Sequence, residues 1–105
     1  MSVIVTVWFM ADPERIEQVA RERSDQIEAI AERAKEAGVI AHRFYGGDGQ
    51  VMVIDEWPDE ESFQRFFDGA QEQIGPLFAA AGVTSEPAVR FWHVLDMPDK
   101  IGWGA

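Results

Sequence analysis

Two histidines, one arginine and a pair of adjacent carboxylates carry the chemistry this chain could perform. His42 and His93 are its only histidines. Histidine gains and loses a proton nearest neutral pH, which suits it to work as a general base. Their spacing fits no metal-binding motif, and the competing role for each is a hydrogen-bonded ring packed in a sheet or a subunit seam. Arg23 lies near the middle of an apolar stripe made by Ile16, Ala20, Ile27, Ile30 and Ala34. One continuous helix would therefore turn it toward the space between helix and sheet. There it could stabilise an enolate, phenolate or carboxylate, or pair with Asp55 or Glu56. Those two carboxylates project to opposite faces of an extended segment. With both faces covered, at least one must be buried and paired, and a structural ion pair is the role expected for either. Their divergence also argues against a two-carboxylate glycosidase site within the dipeptide.

Aromatic side chains are the second resource. Trp8, Tyr45, Trp57 and Trp92 could line a pocket for a flat ligand, with Phe63, Phe66 and Phe67 as its helical wall. Core packing accounts for the Phe trio equally well, since a helix lying on a sheet needs such a stripe. The chain contains no Gly-x-Gly-x-x-Gly, phosphate-binding loop, His-Glu-x-x-His or calcium loop. The glycine-rich Gly46-Gly47-Asp48-Gly49 joins two strands rather than a strand to a helix, so nucleotide and flavin sites lack support.

The elements that must position these groups follow from patterning. Val3 to Met10 is apolar on both alternating faces and reads as a strand covered on both sides. Asp12 as N-cap and Pro13 at the first helical position begin a long helix that Gly38 ends, with Ile16, Val19, Ala20, Ile27, Ile30, Ala31 and Ala34 along one face. Val39 to Tyr45 and Val51 to Trp57 read as antiparallel strands about the glycine turn. Pro58 biases Trp57 toward extended backbone. Asp59 can cap the next helix, with Glu60 and Glu61 at its positive end. From Phe63 a helical period runs through positions 66, 67, 70, 74, 77, 78 and 81, and Pro76 should split or kink it near Gly75. Ala88 to Leu95 is the fourth strand, and the tail carries Met97, Ile101 and Trp103. The order β-α-β-β-α-β is a split βαβ arrangement. It predicts an α+β, ferredoxin-like domain spanning residues 1–105, with a four-stranded antiparallel sheet and both helices on one face.

Composition narrows the partners. In 105 residues there are 19 acidic and 9 basic side chains, a net charge of −10, and 47% hydrophobic content. A chain of this size buries roughly 60 to 70% of its unfolded surface as one domain. Nucleic acid binds proteins that offer clustered Lys and Arg, so it is not an expected partner. Cysteine is absent, which removes disulfides, thiolate nucleophiles and cysteine-ligated zinc. The apolar run at Val3 to Met10 is too short to span a bilayer and has neither basic leader nor cleavage site. A cytoplasmic protein with no membrane partner is the expectation. Helices can cover only one face of the sheet, yet its first and last strands are apolar on both. A second copy is the economical cover, joined by a two-fold, self-complementary interface.

At this point a resemblance emerges. The order of elements, the strand ending Ile54-Asp55-Glu56-Trp57 followed by Asp59-Glu60-Glu61-Ser62-Phe63, and the final strand together resemble the antibiotic biosynthesis monooxygenase domain over nearly the whole chain. That domain belongs to the dimeric α+β barrel superfamily. The resemblance implies a cofactor-independent monooxygenase acting on a small aromatic, phenolic or hydroquinone-like metabolite. A base would remove a proton, and the electron-rich anion would react with oxygen itself. On this reading His42, His93 and Arg23 are the catalytic candidates and Trp8, Tyr45, Trp57, Phe66 and Trp92 the substrate contacts, with no metal and no cofactor. The resemblance also sets the strands of His42 and His93 at the two sheet edges, far apart within one subunit. The haem-degrading branch of the same fold relies on an Asn in the first strand, and on a Trp and an axial His in the second helical region. This chain has no asparagine, Phe66 aligns with that Trp and Pro76 with that His, so the route is disfavoured. Two other classes compete: a non-catalytic binding or assembly domain, and an isomerase or cyclase using the same pocket without oxygen.

Overall fold

Alternation along the strands decides which side chains meet. In the computed structural model, which describes residues 1–103, the order is β1 (Val3–Met10), α1 (Pro13–Glu22), α2 (Ser24–Ala37), β2 (Ala41–Gly46), β3 (Gln50–Trp57), α3 (Glu60–Gly69), α4 (Gln71–Ala80) and β4 (Ala88–Trp92). The strands form one antiparallel sheet in the order β2-β3-β1-β4. Val3, Val5, Val7 and Phe9 of β1 and Val51, Val53, Asp55 and Trp57 of β3 are buried on the face that carries the helices. Phe63 of α3 joins that core, with Phe66, Phe67, Phe78, Val89 and Phe91 packed around it. Burying a side chain of this class stabilises the fold by about 1.5 to 3 kcal/mol. A second cluster of Val19, Leu77 and Ala81 ties α1 to α4.

The helix signals act as expected at three ends. Asp12 Oδ1 accepts the backbone N–H of Glu14 at 3.0 Å ahead of Pro13. Gly38 closes α2 in the left-handed region at φ 106°. Asp59 Oδ1 accepts the backbone N–H of Ser62 at 2.7 Å. That bond, followed by a second one from the Ser62 hydroxyl, holds the Asp59 carboxyl below its ordinary value of 3.8.

Three expectations need correction. The long helix is two: backbone dihedrals at Arg23 leave the helical region (φ −124°, ψ 40°), and Ser24 and Asp25, residue types that favour helix starts, open α2. The apolar stripe is therefore not continuous in phase across the break, and Arg23 sits exposed at the corner rather than between helix and sheet. The second helical segment breaks at Ala70, and α4 runs through Pro76 instead of splitting near Gly75. Finally, the last strand stops at Trp92. Ile4 pairs with Trp92, so only the first residue of β1 lies beyond that pair and His93, Val94 and Leu95 have no strand left to pair with.

Trp57 is fully buried, with its ring 5.4 Å from that of Phe66 and 5.9 Å from that of Phe63. Trp57→Ala should cost about 3 to 5 kcal/mol, seen as a lower urea midpoint. A loss below about 1 kcal/mol would mean that the ring is not held at the strand-helix junction. Acid titration tests the α3 cap. Because the folded-state pKa of Asp59 is lowered, the cap's stabilisation is present above 3.8 and is lost as pH falls through the lowered value. Asparagine caps through an uncharged amide. Asp59→Asn should therefore weaken the decline of the denaturation midpoint below about pH 4, whereas an unchanged acid limb would show that the cap is not formed in solution.

Candidate functional site

A hairpin places the first of the chemical groups. The backbone N–H of Gly47 donates to the carbonyl of Gln50 at 2.8 Å, closing the turn at Asp48 and Gly49, where Gly49 takes φ 72°. Equal steps outward from that pair set His42 opposite Asp55. Cross-strand partners share a face, and here it is the face carrying the helices. His42 Nδ1 lies 2.6 Å from Asp55 Oδ1. The second oxygen, Oδ2, accepts the indole N–H of Trp57 at 3.0 Å, which is within reach because residues two apart on a strand project to one side. Asp55 is buried while the His42 side chain is 46% exposed. The edge of the Phe44 ring stands against His42, with centroids 5.4 Å apart.

This geometry dictates a protonation pattern. An ionised carboxylate only accepts hydrogen bonds, so the neutral imidazole donates through Nδ1 and keeps its lone pair on Nε2. Among the described residues no protein group hydrogen-bonds Nε2, and the ring is half exposed. Glu56 is the carboxylate of the other face, where it accepts the Ser2 hydroxyl. Asp55 is thus the buried member of the pair, and its partner is His42 rather than Arg23.

The remaining candidates are not gathered there. His93 lies just past β4, exposed, with Nε2 3.8 Å from Glu60 Oε1. It and His42 occupy opposite edges of the sheet. Arg23 lines an open cleft of about 380 Å³ with Asp25, Gln26, Ala29, Glu72, Gln73 and Pro76. A smaller recess of about 210 Å³ is lined by Arg33, Ala37, Ser62, Arg65 and Phe66. Neither cleft is lined by His42 or Asp55. The aromatic set divides by strand parity. Trp57 and Phe66 belong to the helix-covered core, whereas Trp8, Tyr45 and Trp92 emerge on the opposite face. There Trp8 donates to Gln50 Oε1 at 2.6 Å and Trp92 to Thr6 Oγ1 at 2.9 Å. The expected single aromatic pocket is therefore two separate aromatic surfaces. Among the described residues, no three His, Asp or Glu side chains gather closely enough to hold a metal ion, and no helix is long and apolar enough to cross a membrane.

Two members of the His42 group escaped attention in the sequence: Asp55 as the partner of a histidine, and Phe44. The hairpin register held that information, because the turn residues and equal counting along both arms pair 42 with 55.

No family model matches the chain, and no curated relative matches its sequence. Solved structures do. The monooxygenase ActVA-Orf6 of Streptomyces coelicolor, in complex with nanaomycin D, superposes with a TM-score of 0.67 at 16% identity, covering 93% of this chain and 93% of that one. SnoaB, a cofactor-independent oxygenase from Streptomyces nogalater, gives 0.64 at 17% identity in a variant form, over 94% of this chain and 98% of its own. A dimeric ferredoxin-like protein from an uncultured marine organism gives 0.66 at 13% identity, over 95% and 93%. What these likenesses share with the chain is architecture: it has the ferredoxin-like α+β fold of the antibiotic biosynthesis monooxygenases.

Proposed function

We propose that this protein is a cofactor-independent monooxygenase of a small phenolic or hydroquinone-like metabolite, with His42 as its general base. The observation that carries the reading is the 2.6 Å contact of His42 Nδ1 with the buried carboxylate of Asp55. Asp55 holds the imidazole so that Nε2 faces outward as the basic nitrogen, and Trp57 locks the carboxylate from behind. Nε2 would take the phenolic proton, and the resulting electron-rich anion would react with oxygen at its para carbon. Loss of the C–H and O–H hydrogens with gain of one oxygen gives a quinone, and the second oxygen atom leaves as water. Phe44 supplies one aromatic edge beside the ring.

The same reading includes a homodimer. Ile4, Trp8, Met10, Met52, Ile54, Tyr45 and Trp92 share the sheet face without helices, and Trp8 and Trp92 remain 40% and 53% exposed on it. A face so apolar is sticky in water, and a two-fold copy of itself would cover it. A second reading, a binding module or an isomerase of the same fold, draws support from the two clefts described above, since both lie away from His42.

Oxygen uptake on a panel of phenols and hydroquinones separates these readings: a monooxygenase consumes oxygen, an isomerase converts substrate without it, and a binding module does neither. His42→Gln should lower oxygen uptake by about 10² to 10⁴-fold. Asp55→Asn is the sharper probe. With its amide oxygen on the Trp57 N–H, its NH₂ must donate to His42 Nδ1, which moves the ring proton to Nε2 and blocks the base. The variant should fold yet lose about as much activity, by the logic of a wrong tautomer. Full activity in either variant would remove His42 from the mechanism. Light scattering should return twice the chain mass, and Ile54→Lys, at the centre of the open face, should shift it toward the monomer.

A further inference from the structure

Acidic side chains outnumber basic ones by 19 to 9 in this chain, so a concave surface whose only charged lining is arginine departs from the rest of the molecule. The recess of about 210 Å³ between α2 and α3 is such a surface: Arg33, Arg65, Ser62, Ala37 and Phe66 line it, with no carboxylate among them. The larger cleft has the opposite balance, with Arg23 set against Asp25 and Glu72. Helical spacing brings the recess together, because Arg33 and Ala37 lie one turn apart on α2, and Ser62, Arg65, Phe66 and Gly69 share a face of α3. Arg33 is seated there. Its Nη1 donates to Gln73 Oε1 at 2.9 Å, and its Nη2 lies 2.9 Å from the place where a Cβ on Gly69 would stand. Any larger residue at 69 would push the guanidinium away, so the glycine in the last turn of α3 makes the seat. Among the described residues Arg33 pairs with no carboxylate, which leaves most of its N–H donors for a ligand. Arg65 is 2.8 Å from Glu61, an exposed pair one helical turn apart, and a contact of that kind is weak.

We propose that this recess binds the oxyanion head of a small organic acid, a carboxylate or a phosphate ester, between the guanidiniums of Arg33 and Arg65, with the apolar body of the ligand against Phe66 and Ala37. The site is separate from His42 and Asp55, neither of which lines it, and it does not depend on the reaction assigned to them. A guanidinium offers a fork of N–H donors that matches the oxygens of a carboxylate or a phosphate. The Ser62 hydroxyl already donates to Asp59, so it meets a ligand as an acceptor and can take the proton of a ligand hydroxyl. Size agrees. A cavity of roughly 150 Å³ is enough to hold benzene, and about 210 Å³ leaves room for a ring and its charged head. Charge selects the class, since an uncharged ligand leaves both guanidiniums unpaired and a cation is repelled by them. The net charge of −10 repels anions at long range. Attraction must therefore come from the two arginines at contact distance, and it must be sensitive to the loss of either.

Calorimetric titration of the full chain at low salt with phenyl phosphate, benzoate, inorganic phosphate and benzyl alcohol tests the site. Phenyl phosphate or benzoate should bind, the tighter of the two identifying the head group, and benzyl alcohol should not. Arg33→Gln and Arg65→Gln should each weaken that binding by about tenfold or more. Arg23→Gln, which removes a charge from the other cleft, should leave it within about twofold. Gly69→Ala tests the seat itself, because it displaces the Arg33 guanidinium without removing its charge. It should weaken binding several-fold while holding or raising the thermal midpoint, since alanine favours a helix more than glycine does. If neither aromatic anion saturates the protein below about 10 mM, the site is overturned. Equal losses from Arg23→Gln and Arg33→Gln would reduce the attraction to diffuse charge and overturn it as well. Inorganic phosphate binding as tightly as phenyl phosphate would overturn the apolar contact with Phe66 and Ala37. Oxygen uptake enters none of these measurements, so their failure is distinguishable from failure of the role given to His42.

Discussion

Burying a carboxylate among valines and aromatic rings costs several kcal/mol unless both oxygens find partners. Asp55 is in that position: among the described residues it is the one charged side chain in the core. Its two oxygens are divided between His42 and Trp57, and no buried side-chain nitrogen or oxygen among the described residues is left without a partner. This single satisfied group constrains much around it. It requires that β2 and β3 keep their register, since a slip by one residue would turn His42 away. It fixes the indole of Trp57, and through that ring the seat of Phe63 and Phe66 on α3. A group held this way is a structural tie and, under the proposed function, the group that orients the imidazole of His42.

The sheet has two unlike faces because strand parity sorts side chains without regard to their chemistry. One face receives the valines of β1 and β3 and the phenylalanines of the helices. The other receives Trp8, Tyr45 and Trp92 together with Arg43 and Arg90. A sheet face that mixes aromatic rings with arginine is better suited to cover by another protein surface than to a hydrophobic core. The aromatic residues that looked like one pocket in the linear chain are thus assigned to different jobs by nothing more than the odd or even count along a strand.

Helix breaks redistribute function as well. Had α1 and α2 been one rod, Arg23 would have stood over the sheet near the carboxylates. The change in backbone direction at that residue places it on an outer cleft instead, and leaves a histidine and the Trp57 indole as the partners of the buried acid. An imidazole can release its proton near neutral pH where a guanidinium cannot. Under the proposed function, that difference is what suits the Asp55 site to proton transfer rather than fixed anion binding.

Much of the architecture was legible in the linear chain because it depends on local rules. Alternation marked the strands, Asp12, Gly38 and Asp59 marked helix ends, and the element order led to the antiparallel sheet. The burial of Trp57 followed from its place between a strand and a capped helix. Other features depended on relations that no local rule carries. The helix break at Arg23 depends on one pair of dihedral angles, and the end of β4 on how far β1 extends beside it. Which of Asp55 and Glu56 is buried was decided by which sheet face the helices cover, and the pairing of His42 with Asp55 by a hairpin register. Residue types and periodicity declare what a side chain prefers; its neighbours across a strand or a helix corner are set only when the chain closes on itself.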